Sequence, residues 1–222
     1  MYLWRKLNEK QREALLESRQ FNDRPWHSPQ HQTSQNGRYL LTAACYEHRH
    51  IAGLNPKRLA DFSEQLLKVL EADCKEVYAR CILPNHYHAL VHTTKLPQLL
   101  QNIGLLHGRT SFVWNGEENR RGRKVWFNCA ETAMKSDQHF WATLNYVHHN
   151  PVHHGYVHQW QDWPFSSGAS FLRHCERERA VMLWQENIPL TIMERPGTRL
   201  NCKCESTAWS SSFSLLWHSE MA

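Results

Sequence analysis

PNHYHALVH, residues 84–92, is the stretch on which the reading of this chain turns. Side chains alternate faces along a strand, so His86, His88, Leu90 and His92 point one way and Tyr87, Ala89 and Val91 the other. The apolar set requires a core. The histidine pair is then displayed on the opposite face, close enough to share one metal ion. Pro84-Asn85 supplies a turn back to KEVYARCIL, residues 75–83, which has the β-branched and aromatic content of a partner strand.

Working outward, RYLLTAACYEH (38–48) reads as a buried strand and NPKRLADFSEQLLKVLEADC (55–74) as a helix started by Asn55-Pro56. Leu59, Phe62, Leu66 and Leu70 fall on one face of that helix at 3.6-residue periodicity. A second helical stretch begins at Leu96 and runs into the basic loop RRGRK (120–124), and VWFNCAETAM (125–134) is a fourth strand candidate. Ser136-Asp137 then announces another helix start. The order βαββαβα is the split βαβ pattern: an α+β, ferredoxin-like (RRM-like) antiparallel sheet with helices on one face, plus one additional helix. The other face is expected to be open, with His86 and His88 on it. The chain divides into an N-terminal extension (1–36, with a helix over 5–19), a domain (37–170) and a tail (171–222) to which no chemistry is assigned.

The composition supports one substantial domain. The chain has 222 residues, 41% of them hydrophobic, so a real core is within reach. A net charge of +5 suits a polyanionic partner without requiring one. The first residues lack the apolar core of a signal peptide and no run approaches a membrane span, which points to a cytoplasmic protein with no membrane partner. Seven cysteines are scattered without paired spacing, and Cys202-x-Cys204 has no second half; reduced thiols are the simplest reading.

The chemistry concentrates in the helix from 137 to 150. At 100° per residue Phe140, Leu144 and Val147 form its apolar stripe, and Tyr146 lies about 140° round from the middle of that stripe. Asn150 follows one turn later on the same flank. Two histidines leave a divalent metal open to oxygen ligands, and the Asn150 side-chain carbonyl can supply one. A metal so placed polarises a phosphodiester, and Tyr146 is the available nucleophile once its phenolate is favoured.

These residues carry a resemblance. PNHYH, then NYVHHNPVHHGYV (145–157) and DWPFSS (162–167), together with LWRKL, PWHSP, LTAACYEHR and GRKVWFN, resemble the REP-associated tyrosine transposases, a group of the single-tyrosine HUH transposases and nucleases (IS200-like domain). The resemblance spans roughly residues 1–172. It implies a ferredoxin-like fold, Mg²⁺ or Mn²⁺ as cofactor, and single-stranded or hairpin DNA of palindromic repeats as substrate. It makes His86 and His88 metal ligands, Asn150 the third ligand and Tyr146 the nucleophile that holds a 5′-phosphate. Relatives often carry a longer Gln where this chain has Asn150. Here Pro151 follows, which disfavours helical geometry at Asn150 and predicts that the helix ends there. One tyrosine forms one covalent end at a time, so two concerted cuts call for a homodimer or for sequential turnovers.

Rival readings belong beside this one. His149 and His153 have the four-residue spacing that helices use to chelate zinc, but no carboxylate accompanies them and Asn-Pro intervenes; polar residues at a helix end are the plainer reading. His148 sits near the apolar stripe. Tyr39, Tyr46, Tyr78 and Tyr87 fall in strand-like runs, and Tyr156 follows a turn. Arg120, Arg121, Arg123 and Lys124 form either a solvated loop or a phosphate clamp. Arg5 and Lys6, beside Trp4, could extend that basic surface. Trp163 and Phe165 read as packing, with base stacking by Trp160 or Trp163 as the alternative. A non-catalytic nucleic-acid-binding module and a metal-dependent hydrolase using activated water are the competing functions.

Overall fold

The computed structural model describes residues 8–21 and 36–174. Trp4, Arg5, Lys6, Cys202, Cys204 and the tail from 175 lie outside the described residues. In chain order the elements are α1 (Glu9–Phe21), β1 (Arg38–Ala44), α2 (Pro56–Asp73), β2 (Glu76–Leu83), β3 (His86–His92), α3 (Leu96–Glu117), β4 (Ala130–Ala133), α4 (Asp137–His153) and α5 (Gly168–His174). Short 3₁₀ turns occupy Tyr46–His48 and Trp160–Asp162.

The four strands pair antiparallel in the order β2-β3-β1-β4. Thr42 and Cys81 stand opposite His88, and Ala44 and Leu83 opposite His86. β1 stops four residues short of His48, because Glu47 and His48 adopt left-handed backbone angles (φ 57° and 52°) that no strand continues. The fourth strand is also shorter than its apolar run; upstream of it, Trp126 makes only an isolated bridge to Cys45.

One sheet face, with Leu41, Ile82, Tyr87 and Ala89, packs on Leu59, Phe62, Leu66 and Leu70 of α2 and Leu99, Ile103 and Leu106 of α3. Asn55 caps α2 by accepting the Arg58 N–H at 2.9 Å, as the Asn-Pro start predicts. Each buried leucine contributes about 1.5–3 kcal/mol. At the turn before the histidine strand, Gly53 donates its N–H to the Pro84 carbonyl at 2.8 Å, and a Cβ there would lie 2.4 Å from the Pro84 ring. Glycine is required by that approach.

The second sheet face is not open, contrary to the expectation from the split pattern alone. α4 lies over it: Phe140 meets Tyr78 edge to face at 4.8 Å, and Leu144 and Val147 are buried. The first six residues of β3 are consequently buried on both faces. The free edge of β2 is covered as well. Trp163 Nε1 donates to the Ile82 carbonyl (2.8 Å), Ile82 N–H donates to the Phe165 carbonyl (3.0 Å), and Ser167 N–H to the Arg80 carbonyl (2.9 Å). DWPFSS thus closes an edge that would otherwise present unpaired backbone groups. α5 crosses the boundary read at residue 170, because Phe171 packs on His148 of α4. No helix among the described residues is long and apolar enough to cross a membrane.

Candidate active site

His86 and His88 project from β3 beneath α4, with ring centroids 5.1 Å apart and exposures of only 8% and 5%. Their tautomers follow from their neighbours. The Asn85 amide nitrogen donates to the His48 carbonyl (3.1 Å), so its oxygen, 2.7 Å from His86 Nδ1, accepts the proton on that nitrogen. His86 Nε2 is left with its lone pair directed inward. His88 Nδ1 contacts Thr42 Oγ1 at 2.8 Å, and its Nε2 lies 3.2 Å from the Tyr146 hydroxyl. Burial, and then the neighbouring imidazoles, drive both rings toward the neutral form, His88 down to about 3. Two neutral rings held by partners at Nδ1, with Nε2 turned toward Asn150 Oδ1 and the Tyr146 hydroxyl, resemble the donor set that metal-binding histidines adopt.

Asn150 completes the arrangement. It is 1% exposed, its Oδ1 lies 3.0 Å from His86 Nε2, and its amide nitrogen has no partner. In this orientation two acceptors face each other, which a cation between them reconciles; turned over, the amide would donate to Nε2 instead. Among the described residues no three His, Cys, Asp or Glu side chains form a metal-holding group. The residues present fit a divalent cation bound by His86, His88 and the Asn150 carbonyl, with remaining positions left to water or phosphate oxygens.

The helix does not end at Asn150, as Pro151 had led us to expect. α4 continues to His153 and closes with Gly155 at φ 72°: the Gly155 N–H bonds the Val152 carbonyl (2.9 Å) and the Tyr156 N–H the Pro151 carbonyl (2.9 Å). This Schellman ending satisfies the last carbonyls and holds the final turn helical against the proline bias. Tyr146 also departs from the expected exposed flank. It faces the sheet, half-buried, its ring 5.1 Å from that of His88. Burial raises its pKa, and the nearby Asn150 amide partly offsets the rise. The phenol is therefore protonated at rest.

The rivals disperse. Tyr39 and Tyr87 are core residues, Tyr46 packs on Phe127, Tyr78 on Phe140, and the Tyr156 hydroxyl meets His50 Nε2 at 3.4 Å. His149 stacks toward Trp160 while His153 turns to His154, so they do not act as a chelating pair. His148 is fully buried, bonded to Ser167 and stacked on Trp160. Trp160 and Trp163 are buried packing residues. In the basic loop, Arg123 pairs with Glu118 (2.8 Å), which together with Arg58 holds that carboxyl down near about 2. Arg121 donates to the Phe112 carbonyl and covers its ring. Lys124 lies over Tyr46 and Phe127, and Arg120 is exposed.

Sequence reasoning missed His154, half-buried with its ring 4.9 Å from His86. The one available signal was its place immediately before the glycine that closes α4. It also missed Thr42 and Asn85, which are recognisable only once strand register and turn geometry are known.

Comparison with known proteins agrees with the motif reading. The chain is 29% identical over 155 residues to a Haemophilus influenzae protein named "Putative REP-associated tyrosine transposase", an alignment covering 60% of this chain and 82% of that one. The resemblance read from the motifs is thus found again in a curated sequence. A solved structure of a REP-associated tyrosine transposase bound to a REP hairpin superimposes with a TM-score of 0.48 at 17% identity, covering 66% of this chain and 86% of the other. No family model matches.

Proposed function

We propose that this chain is a metal-dependent, single-tyrosine DNA nuclease and strand transferase of the REP-associated tyrosine transposase kind, acting on single-stranded or hairpin DNA. One observation carries the reading: the Nε2 atoms of two neutral imidazoles, the Asn150 carbonyl oxygen and the Tyr146 hydroxyl converge under α4. The βαββαβ order with strands arranged β2-β3-β1-β4 supports a ferredoxin-like scaffold, with α4 as the helix that delivers the nucleophile. Fold alone would not carry the function. The relative's name supports a DNA-processing role.

When bound, Mg²⁺ or Mn²⁺ supplies Lewis-acid polarisation of the scissile phosphate and offsets charge developing on its oxygens. The chain supplies the rest. Asn85 holds His86 in one tautomer and Thr42 orients the His88 ring. Tyr146 gives its proton to solvent and attacks phosphorus; the Tyr146 O–P bond forms as the bond from phosphorus to the 3′ oxygen breaks, and that oxygen takes a proton from solvent, leaving a free 3′-OH and a 5′-phosphotyrosine. The ester conserves the free energy of the broken bond, so attack by a 3′-OH rejoins a strand without ATP. A second copy of the chain, or a second turnover, accounts for paired cuts.

The test is incubation with end-labelled single-stranded hairpin DNA and Mn²⁺, followed by a denaturing gel. A protein-linked label that disappears in Tyr146→Phe is the expected result. Cleavage without linkage would instead establish a hydrolase, and a native-gel shift without cleavage a binding module.

A further inference from the structure

Directly behind the histidine pair, on the other face of β3, is a second feature that the proposed chemistry does not use. Tyr87, between His86 and His88 in sequence, points into the helix-covered layer, where its hydroxyl lies 3.1 Å from His107 Nε2. His107 lines a cleft of about 520 Å³ between α3 and residues 123–129. It is 7% exposed and stacks on Trp126 with centroids 4.5 Å apart and planes 10° from parallel. Its Nδ1 makes no hydrogen bond with any described residue. Burial keeps the ring neutral, so Nδ1 can present either a donor or an acceptor, depending on the proton shared with Tyr87.

The rest of the lining is equally specific. Gly104 and Gly108, one turn apart on α3, leave the wall bare: a Cβ on either would meet nothing within 4 Å. Ser111 adds a hydroxyl, and Lys124 a cation at the rim; Arg123, also at the rim, is already paired with Glu118. The short turn Tyr46–His48 lies between the cleft and the histidine pair. Phe127, in its lining, has its ring 5.1 Å from that of Tyr46, and Lys124 Nζ lies 5.3 Å from both ring centroids. Two residues on, the His48 ring is 6.4 Å from that of His86.

We infer that this cleft takes one unpaired nucleobase of the DNA strand whose phosphodiester lies at His86 and His88. A flat ring system enters beside the glycine wall, its edge meets His107 Nδ1, and its phosphate faces Lys124. The Tyr46–His48 turn carries the intervening backbone from one site to the other. The chemistry selects a base over an apolar peptide, because the lining pairs the Phe127 ring with a neutral hydrogen-bonding imidazole and a cationic rim, Trp126 being already stacked between His107 and Phe62. This inference rests on the DNA reading above and adds a base-recognition site to it.

The test compares, by fluorescence anisotropy, a labelled hairpin carrying a single-stranded flank with the same hairpin trimmed of it, in wild type and in Gly108→Leu. Leucine fills the cleft from an exposed helix position, where it also improves helix propensity, so the fold is not put at risk. Gly104→Leu, one turn away, is the second variant. In wild type the flank is expected to tighten binding about tenfold, the scale of one stacked base. That gain is lost in both variants. An abasic residue at one flank position reproduces the loss in wild type and adds nothing in Gly108→Leu. A flank gain that survives both leucines, or that is indifferent to abasic replacement at every position, overturns the inference. If neither DNA binds wild type, the DNA reading itself falls and the cleft assignment with it.

Discussion

The Tyr146 hydroxyl lies 3.2 Å from His88 Nε2, the same nitrogen that would ligate a metal. The phenol and a cation therefore compete for one lone pair. Without metal the hydroxyl rests on the imidazole as a neutral hydrogen bond, and burial keeps it protonated. With metal, the lone pair is taken and the phenol lies beside a positive charge instead. On the proposed function, the resting and reactive states of this phenol would differ in what occupies one nitrogen.

Tyr146→Phe removes the proposed nucleophile while leaving the ring packed against His88. Covalent DNA linkage should vanish, by at least about a thousandfold on a denaturing gel, while hairpin affinity changes less than about threefold. The lost hydrogen bond is half-buried, so stability should fall by no more than about 1 kcal/mol. An adduct persisting in Tyr146→Phe would move the nucleophile elsewhere.

Thr42→Val tests whether His88 is held for metal binding. Thr42 Oγ1 contacts His88 Nδ1 at 2.8 Å from the neighbouring strand. Removing the hydroxyl frees the ring's orientation, and the loss of such a supporting partner weakens metal affinity about 10- to 100-fold. Titration with Mn²⁺ followed by electron paramagnetic resonance reads this directly. An unchanged Mn²⁺ affinity would mean that Thr42 is only a packing neighbour. Asn150→Ala should weaken Mn²⁺ at least as much, since it deletes an oxygen donor.

The strands and the two core helices were legible because their signals are local: period-two alternation in β3, the Asn-Pro start of α2, the Ser136 cap of α4. The structure brings His86, His88, Tyr146 and Asn150 together, but their setting was not legible in the sequence. Helical angles assigned α4 one apolar stripe with Tyr146 facing away from it, but α4 is packed on two sides. The sheet takes Phe140, Val147 and Asn150, while Trp160 and Phe171 take His148. A polar residue such as Asn150, at 1% exposure, is buried by a partner 64 positions away, and no window of sequence contains that fact. The proline after it raised a local bias that the Schellman ending overrides, a contest decided by Gly155 and Tyr156 downstream.

Trp163 separates packing from DNA stacking. Its indole N–H donates to the Ile82 carbonyl, and its ring is 3% exposed against the edge of β2. Trp163→Phe should cost about 1–3 kcal/mol from the orphaned carbonyl and the lost ring, and Trp163→Ala about 3–5 kcal/mol. Chemical denaturation gives both values. Hairpin affinity of the folded Trp163→Phe protein should match wild type; a large loss of affinity with stability intact would reverse the assignment.

The buried imidazoles predict an acid-sensitive fold. His88, His107 and His148 are depressed to about 3, 4 and 3, chiefly by burial, against about 6.5 for an unperturbed ring. Between those values the unfolded chain binds more protons than the folded one, so stability falls as pH falls. It is complete above pH about 6.5 and declines from there toward 4, by up to about 1.4 kcal/mol per pH unit for each ring. Glu118, held to about 2 by Arg123 and Arg58, contributes only below its ordinary carboxylate range, so the window from pH 7 to pH 5 isolates the histidines. Urea unfolding in EDTA across that window should show the midpoint dropping steeply, and His107→Phe should flatten part of the slope without touching the metal site. A midpoint constant from pH 7 to pH 5 would mean that these rings are hydrated and titrate normally, so that burial does not hold them neutral in the acid range.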